Sequence, residues 1–379
     1  MNILILGPSN YFVSRARGRD FESNSRIGQT AVDASVRILL TKLPGSRITL
    51  LTLSQSQERV EVFSETNFEI IVVPERKSHR SKIFDLYGAE RKLIRSAISR
   101  DDYDFVLVHW IYEYALAIPK SLISRVTLIF HDTPIRVMYL APSMMRIAKM
   151  VMAYMVRIKL RKAKFAFVSN HTWRNAQLEL LFRRNPIILP NPIVPIKLGD
   201  HTKKIPLSIL YIGSISKLKD PHALILASET LTSLLPGIRI RFVGPGLEPY
   251  GELSWKTKRT DSIEFLGVKP TNEIYDLIKE SYLVVSCSKE ESFGLTCLES
   301  LYLGTKFLSR HPLPSFMDIG LSNPLFIPSS PSNFTLDISR HLCAAYSPSE
   351  IELSRRLIEE KFGPDKYVSQ LLVALNGSG

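Results

Sequence analysis

Two successions of short apolar runs, with stretches of helical periodicity between several of them, constrain this chain more than any other feature. In the first, the runs are Ile3–Leu6, Ile48–Leu53, Phe68–Val73, Phe105–Val108, Val126–Phe130 and Phe165–Val168. In the second they are Leu207–Ile212, Ile238–Val243, Ile263–Phe265, Leu283–Val285 and Lys306–Leu308. The alternation of these largely apolar runs with helices is the βαβ pattern of a parallel, doubly wound sheet. Between the two successions, Leu189-Pro190-Asn191-Pro192-Ile193 breaks regular structure, and a polar segment, Lys197–Lys204, follows. The predicted fold class is therefore α/β, with two Rossmann-like domains hinged near residue 192. The closing stretch, Pro348–Leu375, reads as helix broken at Gly363-Pro364. The expected division is 1–192, 193–362, and a C-terminal helix over 363–379 packing back on the first domain.

A chain of 379 residues is long enough for each domain to bury its own core, and 45% hydrophobic content excludes a disordered class. The three cysteines, Cys287, Cys297 and Cys343, form no Cys-x2-Cys pair, so neither a disulfide framework nor a zinc site is indicated. The opening Met-Asn-Ile-Leu-Ile-Leu-Gly reads as a first buried strand rather than a secretory leader. No window reaches the roughly 18 apolar residues of a membrane span. Asn170-His171-Thr172 and Asn333-Phe334-Thr335 match the glycosylation pattern, but without a leader they read as chance. A cytosolic compartment is expected.

Charge is unevenly spread. Between Arg136 and Arg184 there are eleven Lys and Arg and one acid, Glu179, a net of +10 out of the chain's formal +13. Within this segment Pro142–Lys164 has helical periodicity. Met144, Ile147, Ala148, Val151, Met155 and Ile158 share one face, and Arg146, Lys149, Arg157, Arg161 and Lys164 share the opposite one. Two readings stand: the Met-rich face packs into the core, or the helix docks on an anionic membrane surface. Nucleic acid is disfavoured, because no aromatic platform is interleaved with the charges.

Residues 286–304 carry the densest chemistry. An apolar run leads into Ser-Cys-Ser-Lys-Glu-Glu-Ser, then Phe293-Gly294, then a helix-like segment with Glu299. Strand, glycine turn and helix N-terminus together present free amides and the positive end of a helix dipole to an anion. Glu291 and Glu299, eight positions apart, suit sugar hydroxyls. The spacing Glu-Ser-Phe-Gly-x4-Glu closely resembles the Glu-x7-Glu signature of family 4 glycosyltransferases, retaining enzymes of the GT-B fold.

Further segments resemble that family in order and spacing across roughly residues 205–310. Gly213-Ser214-Ile-Ser-Lys217-Leu-Lys219 resembles its Gly-Arg-x4-Lys segment, with Lys219 at the lysine position and Ser214 where the family has arginine. Lys217 is a candidate to compensate for that loss. Phe242-Val-Gly244-Pro-Gly246 resembles its Gly-x-Gly loop. Phe265-Leu-Gly267-Val268 resembles the strand end whose backbone meets the nucleobase. In the first half the likeness is architectural. His131, in Phe-His131-Asp132, follows a strand directly, and Gly28, before the helix-like Gln29–Leu40, matches a glycine loop that approaches the donor. Arg15, Arg17, Arg19 and Arg26 are candidates to hold an anionic acceptor.

The resemblance implies a GT-B fold with its two domains facing a central cleft. It implies transfer of a sugar from a nucleotide-diphosphate sugar to a glycan or lipid-linked acceptor, with no metal and no cofactor beyond the donor. Glu291, His131 and Lys219 would be catalytic. Glu299, Phe293, Gly294, Leu295, Thr296, Gly213, Ser214, Lys217, Gly267, Val268 and Gly28 would hold the donor. Two alternatives remain at this stage: a sugar-nucleotide epimerase of the same fold, and a nucleotide-sugar-binding protein weakened in catalysis by Ser214.

Overall fold

The structure, a computed structural model, describes residues 1–9, 12, 29–98, 102–133, 144–180, 185–196, 203–214, 216–246, 262–313, 316 and 323–376. Gly28, Arg15, Arg17, Arg19, Arg26, Arg136, Arg183 and Arg184 lie outside these residues. The chain divides into two compact units, Met1–Val194 with Pro364–Gly379, and Pro195–Gly363.

In the first unit the strands are β1 (Asn2–Leu6), β2 (Arg47–Ser54), β3 (Glu61–Ser64), β4 (Phe68–Pro74), β5 (Phe105–His109), β6 (Val126–Phe130), β7 (Lys164–Phe167) and β8 (Ile187–Ile188). They form one sheet in the order β3-β4-β2-β1-β5-β6-β7-β8, parallel except for the antiparallel edge pair β3 and β4. The central strands are apolar and fully buried, as in Ile3–Leu6 and Val106–Val108, because helices cover both faces of a parallel sheet. The chain order reverses between β1 and β5, so the crevice at the carboxyl ends of those strands is the site such a sheet offers to ligands. The last helix, Pro364–Asn376, packs on the helix Gln29–Lys42, where the Tyr367 hydroxyl donates to Ser35 Oγ at 2.9 Å.

The second unit holds β9 (Ser208–Ile212), β10 (Arg239–Val243), β11 (Ile263–Gly267), β12 (Leu283–Ser286), β13 (Lys306–Ser309) and β14 (Phe326–Pro328). All pair in parallel, in the order β11-β10-β9-β12-β13-β14. The order reverses between β9 and β12, the two strands that precede the lysine loop and the Glu291 loop. The chain therefore has the α/β architecture expected, two doubly wound parallel sheets. The edge strands β3, β8 and β14 were not foreseen; β8 and β14 have two and three residues, too few to show a pattern.

The helix Met144–Lys159 differs from the reading in which its Met-rich face packs into the core. It buries Ala148, Met152, Ala153 and Val156. Of the expected apolar face only Ala148 is inward; Met144, Ile147, Val151, Met155 and Ile158 are exposed. The helix carries apolar residues around most of its circumference, and the stripe that entered the core is the one with the smaller side chains.

Candidate functional site

At the carboxyl edge of the second sheet, backbone packs unusually close. Gly213 N–H, one step past β9, donates to Val243 O at 2.9 Å, and Gly244 N–H, one step past β10, donates to Gly267 O at 2.9 Å. A Cβ on Gly244 would lie 2.0 Å from Gly213 O, at a φ of +145°, so only glycine fits there. Gly213, Gly244 and Gly267, each half-buried, thus join the three strand ends through their main chain. Gly267 itself has a φ of +68°, and Val268 follows at the same edge.

The lysine loop is held from several sides. Lys219 N–H donates to Ser216 Oγ at 3.3 Å, the Tyr211 hydroxyl donates to Lys219 O at 3.2 Å, and Lys289 N–H donates to Leu218 O at 2.9 Å. Asp220 sits in the left-handed region at φ 44°, a strained position for a residue with a side chain. Its carboxylate takes Arg310 at 3.1 Å and Lys289 at 3.3 Å. This clamp joins three loops, those after β9, β12 and β13. Ser214, at the position where the resembled family has arginine, lies 3.4 Å from Ser216 through its hydroxyl, and Lys217 is exposed.

Across the switch point, Lys219 Nζ and Glu291 Oε1 form an ion pair, with both side chains partly open to solvent. Such a half-exposed pair adds little stability by itself. Beyond Glu291 the chain turns at Gly294, which caps the helix Leu295–Tyr302 at a φ of +89° with no side-chain cap. The first bond of this turn runs from Cys297 N–H to Gly294 O, so the Leu295 and Thr296 amides point along the helix axis toward the loop. Phe293 contributes to this loop through its backbone. Its ring is buried edge-on against Phe362, centroids 5.6 Å apart, where it anchors the turn.

Glu299, one turn further along, is reached by the Tyr275 hydroxyl at 3.4 Å. Burial pushes its carboxyl up to about 7, and the Tyr275 hydrogen bond opposes the shift. Beneath the loop, the Cys297 thiol is buried and raised well above its ordinary value, chiefly by burial and further by the Glu291 charge, so it is an inert core group.

In the first unit, His131 stands immediately past β6 and meets the last residue of β5. His109 Nδ1 lies 2.9 Å from His131 Nε2 and the rings stack at 5.1 Å. Burial holds both imidazoles neutral: it lowers His131 to about 4, and lowers His109 with help from the His131 charge. Trp110 adopts a φ of 73°, its ring centroid 6.0 Å from that of His131 and its buried Nε1 without a partner. The Tyr112 hydroxyl donates to Asp132 Oδ1 at 3.1 Å, and Lys149 lies over the rings of Tyr112 and Trp110. Asp132 is raised by burial, against the pull of Lys149. At the end of β1, Ser9 Oγ hydrogen-bonds Asp33, whose carboxyl burial pushes up to about 7.

Sequence reasoning had named Lys219, Glu291, Gly294, Leu295, Thr296, Gly213 and Gly267, all of which lie at the carboxyl edge of the second sheet. His131 belongs to the other unit, and Gly28 lies outside the described residues. Asp220, Lys289, Arg310 and Tyr275 were missed, as were His109 and Trp110. The signal that finds half of them is position: His109, Trp110 and Arg310 each stand at or just past the carboxyl end of a parallel strand.

The family model described as glycosyl transferases group 1 matches residues 200–319. A D-inositol 3-phosphate glycosyltransferase of Corynebacterium urealyticum is 34% identical over 113 residues, 27% of this chain and 27% of that protein. One of the same name from Nocardiopsis dassonvillei is 24% identical over 177 residues, 43% of this chain and 41% of that protein. The matched stretch thus spans from about a quarter to two fifths of these relatives' length. Among solved structures, sucrose-phosphate synthase from Thermosynechococcus elongatus has a TM-score of 0.74 at 12% identity, covering 98% of this chain and 97% of that one. An E. coli trehalose-6-phosphate protein bound with UDP-2-fluoro glucose has a TM-score of 0.68 at 10% identity, covering all of both chains. An Anabaena protein in complex with UDP and glucose has 0.65 at 15% identity, again covering all of both chains. Residues 200–319 therefore match the glycosyl transferases group 1 model, and the chain shares the fold of these solved glycosyltransferase structures.

Proposed function

We propose that the protein is a retaining glycosyltransferase that moves a hexose-type sugar from a nucleotide-diphosphate sugar to a glycan or lipid-linked acceptor, without a metal. The observation that carries this reading is the meeting of Lys219 and Glu291 at the switch point, beside the uncapped helix N-terminus at Gly294. A diphosphate entering there takes Lys219 and the Leu295 and Thr296 amides, and Glu291 is left to accept from sugar hydroxyls. Glu299 accepts from the ribose, and the Gly267-Val268 backbone from the base.

Stabilisation of the departing diphosphate lowers the barrier as the sugar becomes oxocarbenium-like; one such preorganised donor contributes about 10²–10³ in rate. The leaving phosphate oxygen then takes the acceptor hydroxyl's proton as the new bond forms on the face it leaves. The assignment of His131 to orient the sugar rests on the family resemblance, and its neutral ring suits a hydrogen-bond role rather than a charge. A nucleotide-sugar donor and a cell-surface polysaccharide or glycolipid product suit a cytoplasmic enzyme working at a membrane face.

The test is incubation with UDP-glucose and then other sugar nucleotides, reading nucleoside diphosphate release and the anomeric configuration of any product. Slow release that disappears in Glu291→Ala supports the transferase. Conversion of the donor to an epimer without release supports the epimerase reading. Donor binding with no turnover in either assay would show that the arginine missing at Ser214 has cost the chain its catalysis and would make it a nucleotide-sugar binder.

A further inference from the structure

The helix Met144–Lys159 leaves one long apolar stripe outward. Met144 is 66% exposed, Ile147 42%, Val151 42%, Met155 38% and Ile158 73%. Their spacings of three and four residues place all five within one narrow sector of the helix, over a length of about 20 Å. The inward side is separately satisfied by Ala148, Met152, Ala153 and Val156, so the stripe is surplus to the core. Beside this helix packs the short helix His79–Phe84, and Phe84 is 94% exposed. A stripe of large apolar side chains in water marks a surface that meets something apolar.

The surrounding charge says what. Neither helix contains an acid. Arg161 and Lys162 are exposed just past the end of the longer helix, and Lys77 and Arg80 are exposed around the shorter one. Several other cations of the basic segment are already engaged: Lys149 lies over two aromatic rings, Lys159 donates to Leu116 O and Ile118 O, and Lys164 donates to Leu375 O. A second copy of the chain docked symmetrically on this face would set basic flank against basic flank, which repels. A bilayer with anionic headgroups accepts both parts at once, the stripe in the headgroup and acyl boundary and the cations among the phosphates. No helix of the described residues is long and apolar enough to cross a membrane, so the geometry is that of a helix lying in the interface.

We propose that the outward face of Met144–Lys159, with Phe84 beside it, docks on an anionic lipid bilayer by inserting its apolar stripe. The inference goes beyond the transferase reading and stands without it. Full-length protein is sedimented with phosphatidylcholine vesicles, with and without phosphatidylglycerol, across a salt series. Binding is expected with phosphatidylglycerol and is expected to persist in part at high salt, because insertion is not screened. The triple variant Ile147→Asn, Val151→Asn, Ile158→Asn should lose about tenfold or more in partition at every salt concentration. Arg161→Gln with Lys162→Gln should lose binding at low salt and converge with the unaltered protein at high salt. All these positions are on the surface, and an unchanged unfolding midpoint verifies the fold of each variant. Failure of the unaltered protein to bind phosphatidylglycerol vesicles at low salt overturns the proposal, as does an Asn variant that binds equally well. A concentration-dependent dimer that the Asn variant dissolves would also overturn it, by showing that a second copy covers the face.

Discussion

His109 Nδ1 and His131 Nε2 lie 2.9 Å apart, joining the carboxyl ends of neighbouring strands, and His109 Nε2 is buried with no partner. A buried N–H without an acceptor is rarer and costlier than a buried lone pair without a donor. The pair is therefore best satisfied with His109 donating from Nδ1 and its bare Nε2 facing the interior. His131 then carries its own proton on Nδ1, ready to donate.

Protonating His131 at Nε2 breaks this hydrogen bond, and protonating His109 at Nε2 buries an N–H without an acceptor, so both give a pH dependence of stability. The folded value of His131 is depressed, from 6.5 to about 4. The unfolded chain therefore binds more protons between those values, and stability falls as pH drops through that window. The loss is up to about 3 kcal/mol from His131, and His109 acts in the same direction. Urea unfolding of the unaltered protein and of His131→Asn between pH 7 and pH 4 should show a steeper decline in the former; equal slopes would assign the neutral pair no role in stability.

Removing the lysine of the ion pair should separate phosphate from base recognition. Lys219→Ala should weaken UDP binding about 10- to 100-fold, the equivalent of a charged hydrogen bond of roughly 1.5–3 kcal/mol, and leave uridine binding nearly unchanged. Calorimetric titration of both ligands reads the difference. Equal losses would place the lysine's role in the loop's structure.

Glu291→Gln should behave in the opposite sense on binding. It releases Lys219 from its partner, so UDP should bind at least as tightly as before, while release of UDP from UDP-glucose should fall about a hundredfold or more. Weakened UDP binding would show that the carboxylate supports the phosphate site rather than competes for its lysine.

The raised carboxyl of Glu299 predicts a pH-dependent affinity. At pH 6 it is largely protonated, and at pH 8 it is ionised, the form that the proposed role at the ribose hydroxyls requires. UDP-glucose, whose phosphates carry no proton in this range, should bind up to about tenfold tighter at pH 8 than at pH 6. Glu299→Gln should abolish the difference; a slope that survives the substitution must come from another group.

Gly244→Ala should be among the most disruptive single-atom changes in the second unit. The added Cβ meets the Gly213 carbonyl at 2.0 Å, backbone that cannot rotate away. A loss of about 3 kcal/mol or more is expected, read as a lowered urea midpoint. Gly45, whose Cβ would meet nothing within 4 Å, is the control position.

Much of the fold was legible because a parallel strand covered on both faces is apolar at most positions, so Ile3–Leu6, or Val126–Phe130 with its single threonine, announces itself in a few residues. The strand β3 (Glu61–Ser64) alternates between half-buried and exposed at a sheet edge, and β14 has three residues; neither leaves such a run. The chemistry of the second unit was legible as residue types at strand ends. The pairings were not: Lys219 and Glu291 are 72 positions apart, and Asp220 meets Arg310 across 90.

Periodicity along Met144–Lys159 determined that the segment is a helix and which residues share each side of it. It did not determine which side turns inward, because spacing specifies angles around the helix axis and says nothing of the axis's rotation against the sheet. Ala148, Met152, Ala153 and Val156 won that place through their fit to the first unit's core, and the larger stripe was left to water. In the same way, strand-end position determined where Lys219 and Glu291 stand. Only the switch in strand order between β9 and β12 brought their loops together, since sheet topology is set by which strands pair and not by any residue in the loops themselves.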